Sequence, residues 1–202
     1  MRSLSLSWSA DTELPVSVAL VKDQLRISHT EFDDLITTLH IPAAVQWAEG
    51  FMHRSILAKT HTWVLQDFPQ TADQAILLPR GKVQSVASIV YTSGGTQTTL
   101  RGPTSGSPIG TDYRENLMDE SCGMIYPIDN WPTVDTSVPQ PVVITYSAGW
   151  TSTQVPADIK AALCRFVADQ LDVPGVQDMG NMQVWQWEAK EAAIASWRIV
   201  WR

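Results

Sequence analysis

The residue types that could carry chemistry are sparse in this 202-residue chain. Its four histidines, His29, His40, His53 and His61, are isolated, and none belongs to an HExxH pattern. His53 and His61 flank a predicted helix end and strand start, a spacing that does not place two zinc ligands on one helix face. A surface or helix-end histidine is therefore favoured over a metal site.

The cysteines and the adjacent carboxylates give an equally weak chemical signal. Cys122 and Cys164 are too few for a disulfide framework and have no CxxC spacing. Cys164 falls in an apolar helical pattern, which favours a small buried side chain, and no nucleophile signature surrounds Cys122. The pairs Asp33-Asp34 and Asp119-Glu120 are adjacent in sequence, so we interpret them as solvated charge. We predict no catalytic, cofactor-binding or metal-binding residue.

Apolar spacing predicts helices in the first part of the chain. Ser17 can cap a short helix whose apolar residues recur three and four positions apart. A second helix is predicted from Thr30, which can cap it, to Gly50, which can end it. Pro42 lies inside this second helix and should kink it, because proline removes a backbone donor and clashes with the preceding turn.

The middle of the chain is rich in β-formers, and helical spacing returns after Pro156. Ser93-Gly94-Gly95 lacks the Lys-Ser/Thr ending of a phosphate loop and is predicted to be a hairpin turn. Pro174-Gly175 ends the helix that starts near Pro156, and a final helix is expected from about Val184 to the end. The predicted strands are 62–65, 76–78, 83–92, 96–100, 122–128 and 142–146.

This order of elements predicts an α+β fold, in which N-terminal and C-terminal helices pack with an antiparallel β-sheet and a C-terminal helix projects. The Pro-Gly break divides the chain into a domain at 1–175 and the C-terminal helix region at 176–202. Hydrophobic residues make up 44% of the chain, which is enough for a packed core.

The charge and the apolar runs exclude two classes of protein. Lys and Arg number 14 against 21 Asp and Glu, so the net charge of -7 argues against a surface that wraps nucleic acid. No apolar run approaches the ~20 residues that span a bilayer. We expect a soluble chain that is made and used without secretion.

Four of the nine tryptophans lie in the last 18 residues. On a helix, Trp187, Ile194, Trp197 and Trp201 fall within an arc of about 80°. Two interpretations stay open: these side chains pack on their own domain, or they form a protein–protein interface, where Trp and Arg dominate binding energy. A membrane-surface helix is less favoured, because the segment has no excess of Lys and Arg.

Several sequence strings, taken in order, resemble the head–tail connector (adaptor) proteins of long-tailed bacteriophages and gene transfer agents. The resemblance spans nearly the whole chain. The strings are 15–27 (PVSVALVKDQLRI), 33–36 (DDLI), 48–50 (AEG), 78–81 (LPRG), 83–86 (VQSV), 143–150 (VITYSAGW) and 155–162 (VPADIKAA).

The resemblance implies a non-enzymatic subunit without a cofactor, located in the virion or gene transfer agent particle at the head–tail junction and assembled in the bacterial cytoplasm. Such proteins form a ring, generally of twelve copies, beneath the portal of the DNA-filled head, and they extend the DNA channel. The implied partners are the portal protein, a tail-side connector or stopper protein, further copies of the chain, and DNA that passes without sequence-specific binding; no membrane is implied. The implied portal-binding residues are Trp185, Trp187, Ile194, Trp197, Arg198, Trp201 and Arg202.

Two other function classes stay open at this point. One is a small α+β enzyme that uses Cys122 or a histidine. The other is a β-rich ligand-binding module whose tryptophans stack on sugars, although such a module needs exposed Trp on strands. The chain also departs from the family, because 172–175 (DVPG) stands where many members carry an Arg-Glu pair.

Overall fold

The computed structural model describes residues 1–71, 74–104, 107–171 and 189–199. The chain forms two compact units, each built from segments that are distant in sequence. The strand unit comprises Met1–Ala10 and Ala58–Gly149, and the helical unit comprises Asp11–Leu57 and Trp150–Arg202. The predicted boundary at 175 lies outside the described residues, so that division stays a prediction.

The strand unit holds two antiparallel sheets where the sequence predicts one. The larger sheet has the order β1-β2-β8-β4-β5, and the smaller has the order β3-β7-β6. Strands β1 and β6 are absent from the sequence-based assignment. The strands are β1 Ser3–Trp8, β2 Lys59–Leu65, β3 Ile76–Leu78, β4 Val83–Ser93, β5 Thr96–Thr99, β6 Tyr113–Asn116, β7 Gly123–Pro127 and β8 Val142–Ala148.

The predicted hairpin turn is confirmed between β4 and β5. Gly94 and Gly95 both have positive φ, 56° and 77°, the combination that a two-residue hairpin of the favoured twist requires. Pairing then runs from Ser93 opposite Thr96 to Val90 opposite Thr99.

Aromatic side chains and branched aliphatic residues from both sheets form the core of the strand unit. Trp131 stacks on Phe68 with ring centroids 4.9 Å apart, and its indole N–H donates to the Gln74 carbonyl at 3.0 Å. Tyr146 is fully buried, and its hydroxyl donates to the Pro79 carbonyl at 2.9 Å. Both buried polar groups are therefore satisfied, as a stable core requires.

The helical unit begins as its sequence predicts and then departs from it. The Ser17 hydroxyl accepts the Leu20 N–H at 3.1 Å, which confirms the first helix cap. Thr30 does not cap the second helix by its side chain; instead, its carbonyl accepts the Asp33 N–H. The helices are α1 Val18–Leu25, α2 Asp33–Leu35, a π-helical turn Ile36–His40, α3 Ile41–Met52 and α4 Ala157–Gln170.

The predicted kink at Pro42 takes the form of the π-helical turn directly before it. Proline occupies the first turn of α3, where its missing N–H breaks no α-helical bond of that helix. The Thr37 and Thr38 hydroxyls donate to carbonyls four residues back, an interaction that bends helices. The wider turn shifts the apolar stripe, so that Ile36 is fully buried while Leu39 is 54% exposed.

The end of α3 also differs from the predicted one. Gly50 does not end α3, which continues to Met52 and stops at His53 in the left-handed conformation (φ 56°). None of the described helices has the length and apolar content needed to cross a membrane. The α+β fold class is confirmed.

Two glycine substitutions compare a closely packed backbone position, Gly110, with an open one, Gly50. In Gly110→Ala the new methyl group would lie 2.2 Å from the Gly102 carbonyl carbon, so we expect a loss of about 1–3 kcal/mol in the free energy of unfolding. In the control Gly50→Ala nothing lies within 4 Å of the methyl group, and a gain of about 0.5–1 kcal/mol is expected from helix propensity. Urea denaturation measures both; equal stabilities of the two variants would contradict the packing described.

Candidate functional site

The C-terminal segment, defined here as residues 189–199, contains the described part of the predicted portal-binding set. Residues 189–194 are helical, Ala195–Trp197 form a 3₁₀ turn, and Arg198 is extended. The predicted helix therefore ends before position 195 and does not continue through Arg198. The remaining members of the set lie outside the described residues; they are Trp185, Trp187, Trp201 and Arg202.

Ile194 anchors the C-terminal segment in the core of the helical unit. Its side chain is fully buried within the apolar cluster formed by α1, α3 and α4. Ile199 is 7% exposed, and its N–H donates to the Met52 carbonyl at the end of α3 at 3.0 Å. In this conformation the Ile194 side chain is not available to a partner, because its surface is occupied by the subunit itself.

Trp197 makes the most specific contact of the C-terminal segment. Its indole N–H donates to a carboxylate oxygen of Asp158 at 2.6 Å, in the first turn of α4. A carboxylate at that position is also stabilised by the helix dipole. The indole meets Trp150 edge to face at 5.6 Å, and the Arg54 guanidinium lies 5.7 Å from the Trp197 ring centroid. Trp197 therefore packs partly on its own unit, as one of the two open interpretations proposed.

Two cations complete the attachment of the C-terminal segment. Lys190, which interrupts the apolar stripe in the sequence, is 3% exposed and forms an ion pair with Asp169 of α4. Its ammonium nitrogen also lies 5.6 Å from the Phe166 ring. Arg198 is exposed, with its guanidinium 5.2 Å from the Phe51 ring. Sequence analysis missed Lys190, although its position among apolar residues was a usable signal.

The C-terminal segment presents side chains of the kind found in protein–protein contacts. Anchored by Ile194, Ile199 and Lys190, the C-terminal segment holds Trp197 half-buried and Arg198 exposed at fixed positions. Large amphipathic rings and guanidinium groups of this kind are common at protein–protein contacts.

The other sequence-predicted candidates are not brought together. Cys122 is half-buried and Cys164 is buried, and burial raises the pKa of the Cys164 thiol. His29 and His53 are exposed, whereas His40 and His61 are buried. Within the part of the chain that the structure describes, no group of three or more His, Cys, Asp or Glu residues could hold a metal ion.

His61 occupies a site in the strand unit that sequence analysis did not anticipate. Its ring stacks on Tyr146 at 5.1 Å and is tilted against Trp8 at 6.2 Å. Burial, together with the positive charges of Lys59 and Arg80, lowers its pKa to about 4. The imidazole is therefore neutral at physiological pH and serves as a core ring.

A groove of about 530 Å³ lies in the strand unit beside β5. At one wall the Arg101 side chain and backbone N–H both donate to the Asp112 carboxylate, the side chain at 3.1 Å and the backbone at 2.7 Å. These hydrogen bonds, the side-chain bond first, lower the pKa of Asp112. Trp131 and Ile128 lie on the facing wall. Arg101 and Asp112 form an ion pair, and Asp129 also lines the groove.

Comparison with known proteins shows a likeness in structure only. No protein-family model matches the sequence, and no curated protein matches it. A chain from the neck of an empty gene transfer agent particle, computed with C6 symmetry, has a TM-score of 0.71 and 19% identity, with 97% of each chain covered. A chain from the virion of a native gene transfer agent particle has a TM-score of 0.69 and 20% identity, with 96% of each covered.

A third chain, from the neck of a native gene transfer agent particle computed with C12 symmetry, has a TM-score of 0.70 and 19% identity. This comparison covers 98% of our chain and 97% of the other. At such identities the comparisons show a shared fold along the full length of both chains.

We predict that Trp197 stabilises the helical unit. Trp197→Ala removes the ring contact with Trp150 and the hydrogen bond to Asp158, so the free energy of unfolding should fall by about 2–3 kcal/mol. The control Trp197→Phe keeps a smaller aromatic ring and loses the hydrogen bond, with an expected cost of about 1–2 kcal/mol. Both are measured by urea denaturation; an unchanged stability of Trp197→Ala would show that the ring does not support its own unit.

The depressed pKa of His61 predicts a loss of stability at low pH. Between pH 6.5 and about 4 the unfolded chain protonates this histidine and the folded chain does not, so stability falls as the pH falls. At pH 4 this effect lowers the free energy of unfolding by about 3 kcal/mol, and above pH 6.5 it no longer lowers it. His61→Gln should make the free energy of unfolding less dependent on pH across this window; identical pH profiles would contradict the prediction.

Proposed function

We propose that this chain is a structural head–tail connector subunit, which forms a ring between the portal of a DNA-filled capsid and the tail. The observation that carries the proposal is the shared fold with chains from the neck and the virion of gene transfer agent particles, over 96–98% of this chain.

A non-enzymatic role agrees with the side chains that the structure describes. The histidines and cysteines are dispersed, and the two buried histidines lie in different units, His40 in the helical unit and His61 in the strand unit. In the groove beside β5, the Arg101 guanidinium is held in an ion pair with Asp112, and Tyr91 and Trp131 contribute aromatic lining. Among the described strands only β1 carries a well-exposed tryptophan, Trp8, and the Arg80 guanidinium covers its ring at 4.7 Å, which argues against sugar stacking.

The C-terminal region is the proposed portal-binding element. Ile194 holds it on the helical unit, while Trp197 and Arg198 remain partly or fully exposed beside it. The other proposed contacts come from the flanking sequence; they are Trp185, Trp187, Trp201 and Arg202. An exposed ion pair contributes about 0–1 kcal/mol, whereas a buried interfacial Trp contributes about 2–4 kcal/mol, so the indoles should dominate binding.

Charge fits a subunit that lines or surrounds a DNA channel without holding DNA. At a net charge of -7 the chain repels phosphates, so the duplex would pass without sequence-specific binding. The same charge opposes close packing of like subunits in solution. The isolated chain should therefore be mostly monomeric and form a ring, of about twelve copies, on a portal template, with a tail-side connector or stopper protein binding afterwards.

Imaging and sedimentation of the purified chain, with and without portal protein, test this function directly. We expect monomers alone and rings of defined symmetry on the portal, because the template supplies the contacts that like charge opposes. A tight ring that forms in low salt without portal would overturn the assembly order. Failure to bind portal under any condition would overturn the proposed function.

A short truncation separates portal binding from folding. Deleting residues 200–202 removes Trp201 and Arg202 and none of the described contacts of the C-terminal segment. We expect an unchanged melting temperature and a loss of about thirtyfold or more in portal affinity, multiplied around the ring by avidity. The matched control is Trp197→Ala, which should lower the melting temperature as well; full portal affinity after the truncation would exclude Trp201 and Arg202 from the interface.

A further inference from the structure

The five-stranded sheet has two edges that no described residue pairs with on their outer sides, β1 at one end and β5 at the other. Edge strands of monomeric proteins are usually guarded by charged residues or proline, because an open edge templates further pairing. Neither strand carries a charge or a proline: β1 is Ser-Leu-Ser-Leu-Ser-Trp and β5 is Thr-Gln-Thr-Thr.

The whole larger sheet lacks the charge that dominates the rest of the chain. Its five strands contain no Asp or Glu, and Lys59 is their only Lys or Arg. In a chain with 21 acidic residues, this leaves the sheet as a surface on which two copies can meet without like-charge repulsion. All four residues of β5 are exposed, and Leu4 and Trp8 of β1 are 42% and 47% exposed.

The backbone pattern defines which groups each edge offers. On β1, the Ser9 N–H bonds to Thr60, so in this register Leu6 and Trp8 direct their N–H and C=O groups away from β2. On β5, Leu100 bonds to Ile89, so Gln97 and Thr99 direct theirs away from β4. The irregularity in β1 lies between Ser3 and Ser5 and leaves the residues after it in regular register.

The direction of pairing follows from the topology. Each of the four neighbouring pairs in the larger sheet is antiparallel, so the first and fifth strands run in the same direction. When the larger sheet of one copy continues into that of the next copy in the same orientation, β5 of the first copy therefore lies parallel to β1 of the second. A head-to-tail contact between different surfaces is the kind that closes into rings.

We propose that β5 of one copy pairs in parallel with β1 of the next copy, joining their larger sheets edge to edge. The inference rests on the proposed ring and names its copy–copy contact. In this register the Leu6 N–H donates to the Gln97 carbonyl, the Thr99 N–H donates to the Leu6 carbonyl, and the Trp8 N–H donates to the Thr99 carbonyl.

The side chains support the same register. Leu6 packs toward the core and Ser7 lies on the opposite face, as alternation along a strand requires. Thr99 lies opposite Val90, on the face away from core residues Ile89 and Tyr91. Parallel pairing places Ser7 beside Thr99 on this shared outer face. Antiparallel pairing would bring Ser7 beside Thr98 and would put the core face of one copy on the outer face of the next.

The space beside β5 is compatible with an added strand. The groove of about 530 Å³ follows Thr98, Thr99 and Leu100, and its other wall includes Trp131. It leaves room for the side chains of an incoming strand on that side. Three hydrogen bonds are few, which agrees with a contact that needs a portal template to persist.

Engineered cysteines in the full chain test the pairing, with Cys122→Ser as the background. Ser7→Cys with Thr99→Cys places the two thiols beside each other in the proposed register, within disulfide range. Within one chain the two edge strands are separated by four strand spacings, about 19 Å, so any such disulfide joins two copies. The matched control is Ser7→Cys with Thr98→Cys, whose second thiol lies on the opposite face.

On oxidation of the purified chain at high concentration, the Thr99 pair should give a ladder of covalent multimers at least about tenfold faster than the Thr98 pair. Either cysteine alone should stop at dimers, because a ladder needs two different contact surfaces. An equal or faster ladder from the Thr98 pair, or no ladder from the Thr99 pair in protein of unchanged melting temperature, would overturn the inference.

Imaging of the same variants on portal separates this inference from the proposed function. Rings that form on portal while the Thr99 pair gives no ladder would remove the edge contact and leave the connector function intact. A ladder from the Thr99 pair without rings on portal would support the edge contact and remove the connector function.

Discussion

The strand unit depends on β8, which pairs along its whole length with β2 on one side and β4 on the other. Alternate side chains of β8, from Val142 to Ala148, are buried between the two sheets. Because the strands that β8 joins are far apart in sequence, the sheet forms only when the chain has closed long loops, at an entropic cost that the buried core must offset. The edge strands β1 and β5 join this centre through β2 and β4, respectively.

In the helical unit the corresponding constraint is the attachment of the C-terminal segment. Ile194 fills the core, and the Trp197 indole and the Lys190 ammonium each find a carboxylate on α4. A buried ammonium would be costly without its partner Asp169, so this ion pair specifies where the segment lies. The proposed portal-binding residues are thereby attached to a fixed point of the subunit.

Charge is distributed unevenly along the chain. The chain as a whole is acidic, whereas the larger sheet contains no acidic residue and has neutral edges. Positive groups near the sheet are engaged internally: Arg80 lies over Trp8, and with Lys59 it helps keep His61 neutral. A neutral sheet edge in an acidic chain would favour the proposed contact between copies over other contacts. That preference connects the sheet edges with the proposed ring.

The sequence by itself determined the local features: the Ser17 cap, the Gly94-Gly95 turn, the strand that became β8 and the α+β class, since each follows from nearby residue types and periodicity. The sequence also shows the cluster of C-terminal tryptophans, for which packing on their own domain and a protein–protein interface both stayed open. Only tertiary structure decided which elements share a unit, why Leu39 is exposed beside the π-helical turn, and why Lys190 and Trp197 are attached to α4. The π-helical turn follows from local hydrogen bonds of Thr37 and Thr38 and from Pro42, but the units and the attachment of the C-terminal segment depend on partners more than ten residues away. A pattern of spacing contains no information about such distant partners. The open sheet edges belong to the same class, because a strand is an edge only through the absence of a distant neighbour.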